Sequence, residues 1–297
     1  MSFSIFTSSS SMSSTNAMNK ANNMLSTAME RLGTGKRINS AADDAAGLQI
    51  ATRLQGQTNG MDVAKRNIAD ATALLQTSEG AFDEVSNIMY RMKDLATQAA
   101  NDTNTQKDRD AINSELNDLN AELGNIMNNT SYAGDKLFGA SGKFAKELNF
   151  QIGSSTDETM KINLSAELGA SGAGALTTSG GLFSTIQGTA SAVNASGKLE
   201  LTDAESAKAL MSSLETTLDQ VGAVRSKMGA SINRLSHTAA NLANMKDNTD
   251  LALSNIRDAD MASEASSMTR NQMLAQTSMS MLKQSNSMSG MVMSLLG

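Results

Sequence analysis

Hydrophobic residues recur at heptad spacing along the segment from Gly47 to Ala99. One row of these positions begins at Gly47, and a second row begins three residues later at Ile50. The second row contains one strongly polar side chain, Gln57, and no proline interrupts either row. This a/d pattern predicts one helix of about 75–80 Å at 1.5 Å per residue. A rod of that length cannot bury its apolar stripe within a small globule, so it requires another long helix beside it.

A second segment, over about residues 203–257, has a similar length and a similar pattern. Its main heptad row consists of Leu214, Val221, Met228, Leu235, Leu242 and Ile256. We predict that this helix packs antiparallel against the first one. A shorter helix is predicted to fold back on the first, because apolar residues step along one face at Ile112, Leu116, Leu119, Leu123 and Ile126.

Three residue pairs have the spacing of a capping box, in which two side chains satisfy the free N–H groups at a helix start. These pairs are Ser40 with Asp43, Thr105 with Asp108, and Thr202 with Glu205. They predict the starts of the long, the short and the second long helix, respectively. Gly33 and Gly35 are expected to end an earlier helix that runs from about Met12 to Leu32.

The pattern changes between about residues 130 and 201. Apolar and polar residues alternate over 148–152 and again over 160–164, with a polar turn at 153–158 between them. This period of two predicts a β-hairpin. Residues 169–181 are rich in Gly, Ala, Ser and Thr, which is typical of a surface loop.

The two chain ends share an unusual composition of Met, Ser, Asn and few charges. Between Met1 and Met29, the only charged side chain is Lys20. Helices of this kind are poorly soluble alone and are suited to packing against copies of themselves without like-charge repulsion. We expect subunit contacts along their apolar rows, at Met18, Leu25, Leu32, Leu274, Met281, Leu282, Met288 and Leu295. Because such stripes lack a partner in a solitary chain, we expect them to become ordered on assembly.

These elements predict a mainly α fold, a long antiparallel helical bundle or coiled coil built from both chain ends, with a small β-hairpin region. Residues 1–42 and 258–297 are expected to form an inner terminal-helix domain. Residues 43–257 are expected to form an outer helical bundle that contains the hairpin and the Gly/Ser-rich loop at about 130–201.

The composition agrees with thin helix seams rather than with a thick core. The 297 residues include 21 methionines but only 3% aromatic residues, and tryptophan is absent. Proline is absent, which permits long uninterrupted helices. Cysteine is also absent, which excludes disulfides, zinc thiolates and cysteine nucleophiles.

Little in the sequence points to catalysis or to other ligands. The net charge of −6 provides no basic footprint for nucleic acid. No apolar run is long enough for membrane insertion, and the Ser-rich start differs from a cleaved secretory signal. His237 is the only histidine and lies beside seam residue Leu235, so we expect it to be exposed. Helix capping explains Asp43 and Asp44, so we predict no enzymatic activity, cofactor or metal.

Residues 28–47, with the sequence AMERLGTGKRINSAADDAAG, resemble the N-terminal signature of bacterial flagellin. Four segments near the other end resemble the C-terminal signature of that family: 256–260 (IRDAD), 268–270 (MTR), 284–286 (QSN) and 292–296 (VMSLL). The chain departs from the family near its end, where proline is frequent and this chain has Met288-Ser289-Gly290. The short middle segment implies a compact flagellin without large outer domains, in one interpretation that of a lateral system.

The resemblance implies a secreted, extracellular structural subunit that self-assembles into the filament of the bacterial flagellum for motility. It further implies unfolded passage through the flagellar type III export machinery, with an export chaperone and the filament cap as partners. A host innate receptor is an additional implied partner, with contacts at Arg91, Leu95 and Glu115. Two alternatives stay open: a hook–filament junction protein, and an amphipathic-helix adaptor that forms a small oligomer.

Overall fold

The computed structural model describes residues 9–138, 142–164 and 199–296, with side chains described as far as residue 288. The predicted Gly/Ser-rich loop at residues 169–181 therefore lies outside the described residues, as does the side chain of Leu295. The helices are α1 (Ser9–Thr34), α2 (Ala45–Ala99), α3 (Gln106–Asn129), α4 (Ala204–Arg257) and α5 (Met261–Leu296). The strands are β1 (Ser131–Tyr132), β2 (Asp135–Lys136), β3 (Leu148–Gln151) and β4 (Thr159–Ile162). The mainly α fold class is confirmed.

The chain divides into two compact units. The terminal unit consists of Met1–Thr58 and Lys246–Gly297, and the central unit consists of Asn59–Met245. Both boundaries fall inside the long helices α2 and α4.

The core of the central unit is formed by α2, α3 and α4, together with the strands. The predicted row of α2 is buried there: Met61, Ile68, Leu75, Phe82 and Met89 are at most 3% exposed. An ion pair of 2.9 Å between Asp83 and Arg225 joins α2 to α4. A second ion pair joins a later residue of α2 to an earlier residue of α4, so the predicted antiparallel packing is confirmed.

The start of α2 departs from the predicted pattern. Ile50 is 47% exposed and Gln57 is exposed, whereas Ala51 and Thr58, one residue later in each case, are buried. The buried positions therefore change phase near residue 58, as they do at an irregularity in a heptad repeat. The prediction that Ile50 and Gln57 belong to the buried seam is wrong, because the buried stripe follows the partner helix rather than an unbroken repeat.

Helix starts agree with one of the three predicted capping boxes. Thr105 and Asp108 form both reciprocal hydrogen bonds at the start of α3. The start of α2 is capped instead by Asp44, which accepts the N–H of Gly47 at 2.8 Å. The N–H of Ser206 donates to the Asp203 carboxylate at 2.8 Å at the start of α4. Those two predicted boxes are therefore displaced, because neighbouring aspartates compete for the same free N–H groups.

The predicted β-hairpin is confirmed. Strands β3 and β4 pair antiparallel, with Leu148 opposite Ile162 and Phe150 opposite Met160. The predicted alternation of buried and exposed residues is present in β4, where Met160 and Ile162 point into the core and are 3% exposed. The smaller β1–β2 pair was not predicted, and its turn has positive φ angles at Ala133 and Gly134.

Candidate assembly surfaces

Helices α1 and α5 pack antiparallel within the terminal unit. Near one end, Nη1 of Arg31 lies 3.1 Å from Oε1 of Glu264, and both side chains are partly buried. Near the other end, the hydroxyls of Ser10 and Ser285 lie 2.9 Å apart. The two contacts are separated by three heptads on both helices, so one register is kept along the pair.

Small side chains occupy the most buried positions between α1 and α5. Ala21 and Ala28 on α1 are 4% and 3% exposed, and Asn271 on α5 is 3% exposed. Ser14 and Ser278 are buried as well. Small residues allow two helix backbones to approach closely, so the most buried part of this seam is formed by Ala, Ser and Asn side chains.

The structure separates the predicted subunit-contact residues into two groups. Met18, Leu25, Leu32 and Leu282 are half-buried along the seam between α1 and α5. Leu274, Met281 and Met288 are 49%, 60% and 56% exposed. Among the predicted contact residues whose side chains are described, the first group therefore lies between two helices of the same chain, and the second group is exposed in the single chain.

We call the exposed apolar residues of the two terminal helices the terminal apolar surface. It consists of Met12, Met24 and Met29 on α1, and Met261, Met273, Leu274, Met279, Met281 and Met288 on α5. Most of these residues were not predicted as subunit contacts, because they lie outside the predicted heptad rows. The sequence feature that could have predicted them is the presence of methionine outside the heptad rows of helices with few charges.

A backbone clamp joins the end of α1 to the break between α4 and α5. Gly35 has a φ of 69°, and its N–H closes α1 on the carbonyl of Arg31 at 2.8 Å. The N–H of Arg37 donates to the carbonyl of Arg257 at 2.7 Å, and the N–H of Ala259 donates to that of Gly35 at 3.0 Å. A positive φ favours glycine, which explains one glycine of the signature by geometry. The clamp itself was not predicted.

The three predicted receptor-contact residues occupy different environments. Arg91 on α2 donates from Nε at 3.0 Å and from Nη2 at 2.6 Å to one carboxylate oxygen of Glu115 on α3. These two side chains are 56% and 46% exposed. Leu95 is 3% exposed and belongs to the core. The structure therefore brings Arg91 and Glu115 together at the surface, and places Leu95 inside the same part of the central unit.

The residues considered for catalysis or metal binding are either exposed or engaged in local hydrogen bonds. His237 is exposed. The pKa of Asp43 lies below its ordinary value of 3.8, because the N–H groups of Ser40 and Asn39 and the Ser40 hydroxyl donate to its carboxylate. Within the described residues, no group of three or more His, Asp and Glu side chains could hold a metal ion. Across residues 9–138, 142–164 and 199–296, the helices lack the sustained hydropathy needed to cross a lipid bilayer.

Family models match both ends of the chain. The model of the bacterial flagellin N-terminal helical region matches residues 5–143, and the model of the bacterial flagellin C-terminal helical region matches residues 211–296. The first match contains α1, α2 and α3, and the second contains most of α4 and all of α5.

Individual relatives agree with these matches. Polar flagellin C of Vibrio parahaemolyticus is 32% identical, with 100% of this chain and 100% of that protein covered. A flagellin of Halalkalibacterium halodurans is 36% identical, with 91% of this chain and 90% of that protein covered. The solved structure of a flagellar hook-associated protein from Vibrio parahaemolyticus has a TM-score of 0.58 at 18% identity, and covers 73% of this chain and 100% of its own. At that identity the likeness concerns the fold alone.

Proposed function

The chain belongs to the bacterial flagellin family, whose members are structural subunits of the flagellar filament and not enzymes, and we propose that its terminal apolar surface makes the contacts between subunits. The observation that supports this proposal is the difference between the two units. The central unit buries most of its large apolar residues and exposes a few, such as Val63 and Tyr90, whereas six methionines and leucines of α5 alone remain about half exposed or more. Exposed apolar surface of this extent is typical of an interaction site.

Burial against neighbouring copies would stabilise the polymer substantially. Complete burial of one methionine or leucine side chain contributes about 1.5–3 kcal/mol. The contact can repeat along a filament, since a helical polymer requires unlike surfaces that meet without closing into a ring. The described terminal helices have few charges, so like-charge repulsion between adjacent copies is weak.

Substitutions on the exposed side of α5 test this proposal. We expect Leu274→Asp and Met281→Asp to abolish elongation from sonicated filament fragments, because each places a charge in an apolar contact. Circular dichroism should show the helix content of the central unit unchanged. Met281→Leu is the matched control and should elongate, since it keeps an apolar side chain of similar volume. Normal filaments from both aspartate variants, seen by electron microscopy, would refute the proposal.

The seam residues have a different proposed role. Met18, Leu25, Leu32 and Leu282 hold α1 against α5, and this pair then presents the exposed residues to other copies. Leu282→Asp should therefore also prevent elongation, with loss of α1–α5 pairing as the cause. Leu295 continues the heptad row of Leu274, and Leu295→Asp is expected to behave like Leu274→Asp. Residues 1–42 and 258–297 form the inner domain of the filament in this proposal.

The chain is also proposed to leave the cell unfolded through the flagellar type III export channel, with an export chaperone before export and the filament cap at the growing end. A chain without cysteine has no disulfides to prevent unfolded passage. Its appearance in the culture medium should depend on an intact export apparatus. Equal secretion by cells that lack that apparatus would contradict this route.

Recognition by a host innate receptor is a separate proposal that concerns the exposed Arg91 and Glu115 together with Leu95, which belongs to the core. The ion pair between α2 and α3 presents two charged side chains together at the surface. Arg91→Ala is expected to weaken the response of receptor reporter cells to unassembled protein, without changing the thermal unfolding midpoint much. A reporter assay with no response to the wild-type protein would refute this proposal.

A further inference from the structure

The methionines divide between the two units according to their exposure. Among the methionines with described side chains, six are fully buried, and all lie in the central unit: Met61, Met89, Met92, Met127, Met160 and Met228. Eight of the nine exposed ones lie in the terminal unit: Met12, Met24, Met29, Met261, Met273, Met279, Met281 and Met288. The ninth, Met245, is the last residue of the central unit and is less exposed than the others, at 38%.

This division matters because exposure controls the oxidation of a thioether. Hydrogen peroxide transfers one oxygen atom to the methionine sulfur: an S–O bond forms, the O–O bond breaks, and water is released. The sulfur is oxidised and the peroxide is reduced. The product, methionine sulfoxide, is polar where the thioether was apolar, and sulfoxide reductases reverse the reaction.

We propose that the eight exposed methionines of the terminal unit are an oxidative modification site, through which peroxides block polymerisation of the unassembled chain. This proposal rests on the proposed function, since it requires these side chains to lie in contacts between subunits. A sulfoxide in such a contact is a polar group without a partner, which weakens association about tenfold or more. The buried methionines of the central unit are shielded, so that unit stays folded while assembly is lost.

A polymer should protect the same residues. Once neighbouring copies cover the terminal apolar surface, peroxide no longer reaches the eight sulfur atoms. The sensitive form is therefore the unassembled subunit, and the order of events decides the outcome. Oxidation before assembly prevents elongation, whereas treatment of finished filaments leaves the terminal methionines largely unmodified.

The test uses the full chain before assembly. Unassembled protein is treated with hydrogen peroxide, its sulfoxides are located by peptide mass spectrometry, and its elongation from filament fragments is measured by light scattering. We expect sulfoxide at Met24, Met273 and Met281, little at Met89 and Met228, and elongation slowed about tenfold or more. Circular dichroism should show the central unit still folded. Treatment with both stereospecific sulfoxide reductases should restore elongation.

The matched control replaces all eight exposed methionines of the terminal unit with leucine. Leucine keeps an apolar side chain of similar volume and good helix propensity, and it has no oxidisable sulfur. This variant should elongate at the same rate before and after peroxide treatment. If it fails to elongate even without peroxide, the reductase treatment of the wild-type protein still decides the question.

Three results would overturn the inference. The first is a wild-type protein that contains the terminal sulfoxides and elongates at the untreated rate. The second is a leucine variant that loses elongation after peroxide to the same extent as the wild type. The third is a blocked wild-type protein in which the reductases remove the sulfoxides without restoring elongation. Failure of the proposed function is distinct, since it appears without oxidant as normal elongation of Leu274→Asp and Met281→Asp.

Discussion

The ammonium of Lys93 on α2 lies 2.8 Å from a carboxylate oxygen of Glu215 on α4. The ion pair of Asp83 with Arg225 lies the same number of residues away along both helices. Opposite charges therefore mark the same antiparallel register as the buried rows of the central unit. Both ion pairs are partly solvent-exposed. They therefore contribute more to the register of α2 against α4 than to the overall free energy of unfolding.

Exchanging the charges tests the role of the Lys93–Glu215 pair. Lys93→Glu alone should lower the free energy of unfolding, because it places two carboxylates side by side. Glu215→Lys alone should do the same with two ammonium groups. The double variant should recover most of the loss, since it restores an opposite pair at the same site. Urea denaturation of the three variants measures the coupling, and a double variant no better than the singles would argue against it.

The same pair predicts a dependence on alkaline pH. The hydrogen bond to the Glu215 carboxylate raises the pKa of Lys93 above its ordinary value of 10.5. A pKa raised by folding means that the contribution is fully present below 10.5 and is lost as the pH rises through the folded value. Lys93→Met should therefore flatten the alkaline limb of a plot of unfolding free energy against pH. An unchanged limb would assign the alkaline loss to other groups.

Two asparagines of α3 clamp the chain where it returns to the core before α4. Asn113 accepts the N–H of Leu201 at 2.8 Å and donates to its carbonyl at 3.3 Å. Asn117 does the same with Leu199, at 3.0 and 2.8 Å. Each side-chain amide thus satisfies a backbone N–H and a backbone carbonyl, as the backbone of a neighbouring strand would. Leu199 and Leu201 are at most 2% exposed, so their backbone groups have little access to water.

Removal of these amides should be costly. Asn113→Ala or Asn117→Ala leaves a buried N–H and carbonyl without partners, and each is expected to lower the free energy of unfolding by about 1–3 kcal/mol. Asn125→Ala, on an exposed side of the same helix, is the control and should change it little. Chemical denaturation measures all three, and equal effects at Asn113 and Asn125 would contradict the clamp.

Acid is expected to act on the helix ends. Hydrogen bonds from local N–H and hydroxyl groups hold the pKa values of Asp43, Asp108 and Asp203 below 3.8. Because folding lowers these pKa values, their contribution is present above 3.8 and is lost as the pH falls through the folded values. A triple variant with asparagine at these positions should be less stable at neutral pH and should lose less stability in acid. A wild type and variant that lose stability equally in acid would disprove the assignment.

Gly142 and Gly80 form a contrasting pair for substitution by alanine. A Cβ at Gly142 would lie 2.5–2.6 Å from backbone atoms of Leu137 and Phe138, which cannot move aside without moving the loop. Gly142→Ala should therefore lower the free energy of unfolding by about 1–3 kcal/mol. Gly80 lies within α2 with no atom within 4 Å of its Cβ position, so Gly80→Ala should raise it by about 0.5–1 kcal/mol. Thermal unfolding of both variants checks the opposite signs.

The sequence by itself determined the long helices, the main hairpin and the family. Heptad rows predicted α2 and α4, and alternation predicted the β3–β4 hairpin, because such periodicities depend on residues close together in the chain. The antiparallel arrangement of the two long helices likewise placed residues 1–42 and 258–297 together in one predicted domain. The signature at residues 28–47 includes Gly35, whose positive φ ends α1, so that part of the resemblance has a geometric cause.

Only the tertiary structure decided which residues face a partner. Ile50 is exposed while Ala51 is buried, and Leu95 lies in the core whereas Arg91 and Glu115 are exposed. The seam between α1 and α5 likewise separated Leu282 from the exposed Met281. Each of these outcomes depends on a helix that is distant in the sequence. A repeat specifies a stripe on one helix, but the position and phase of the neighbouring helix decide how much of that stripe is covered.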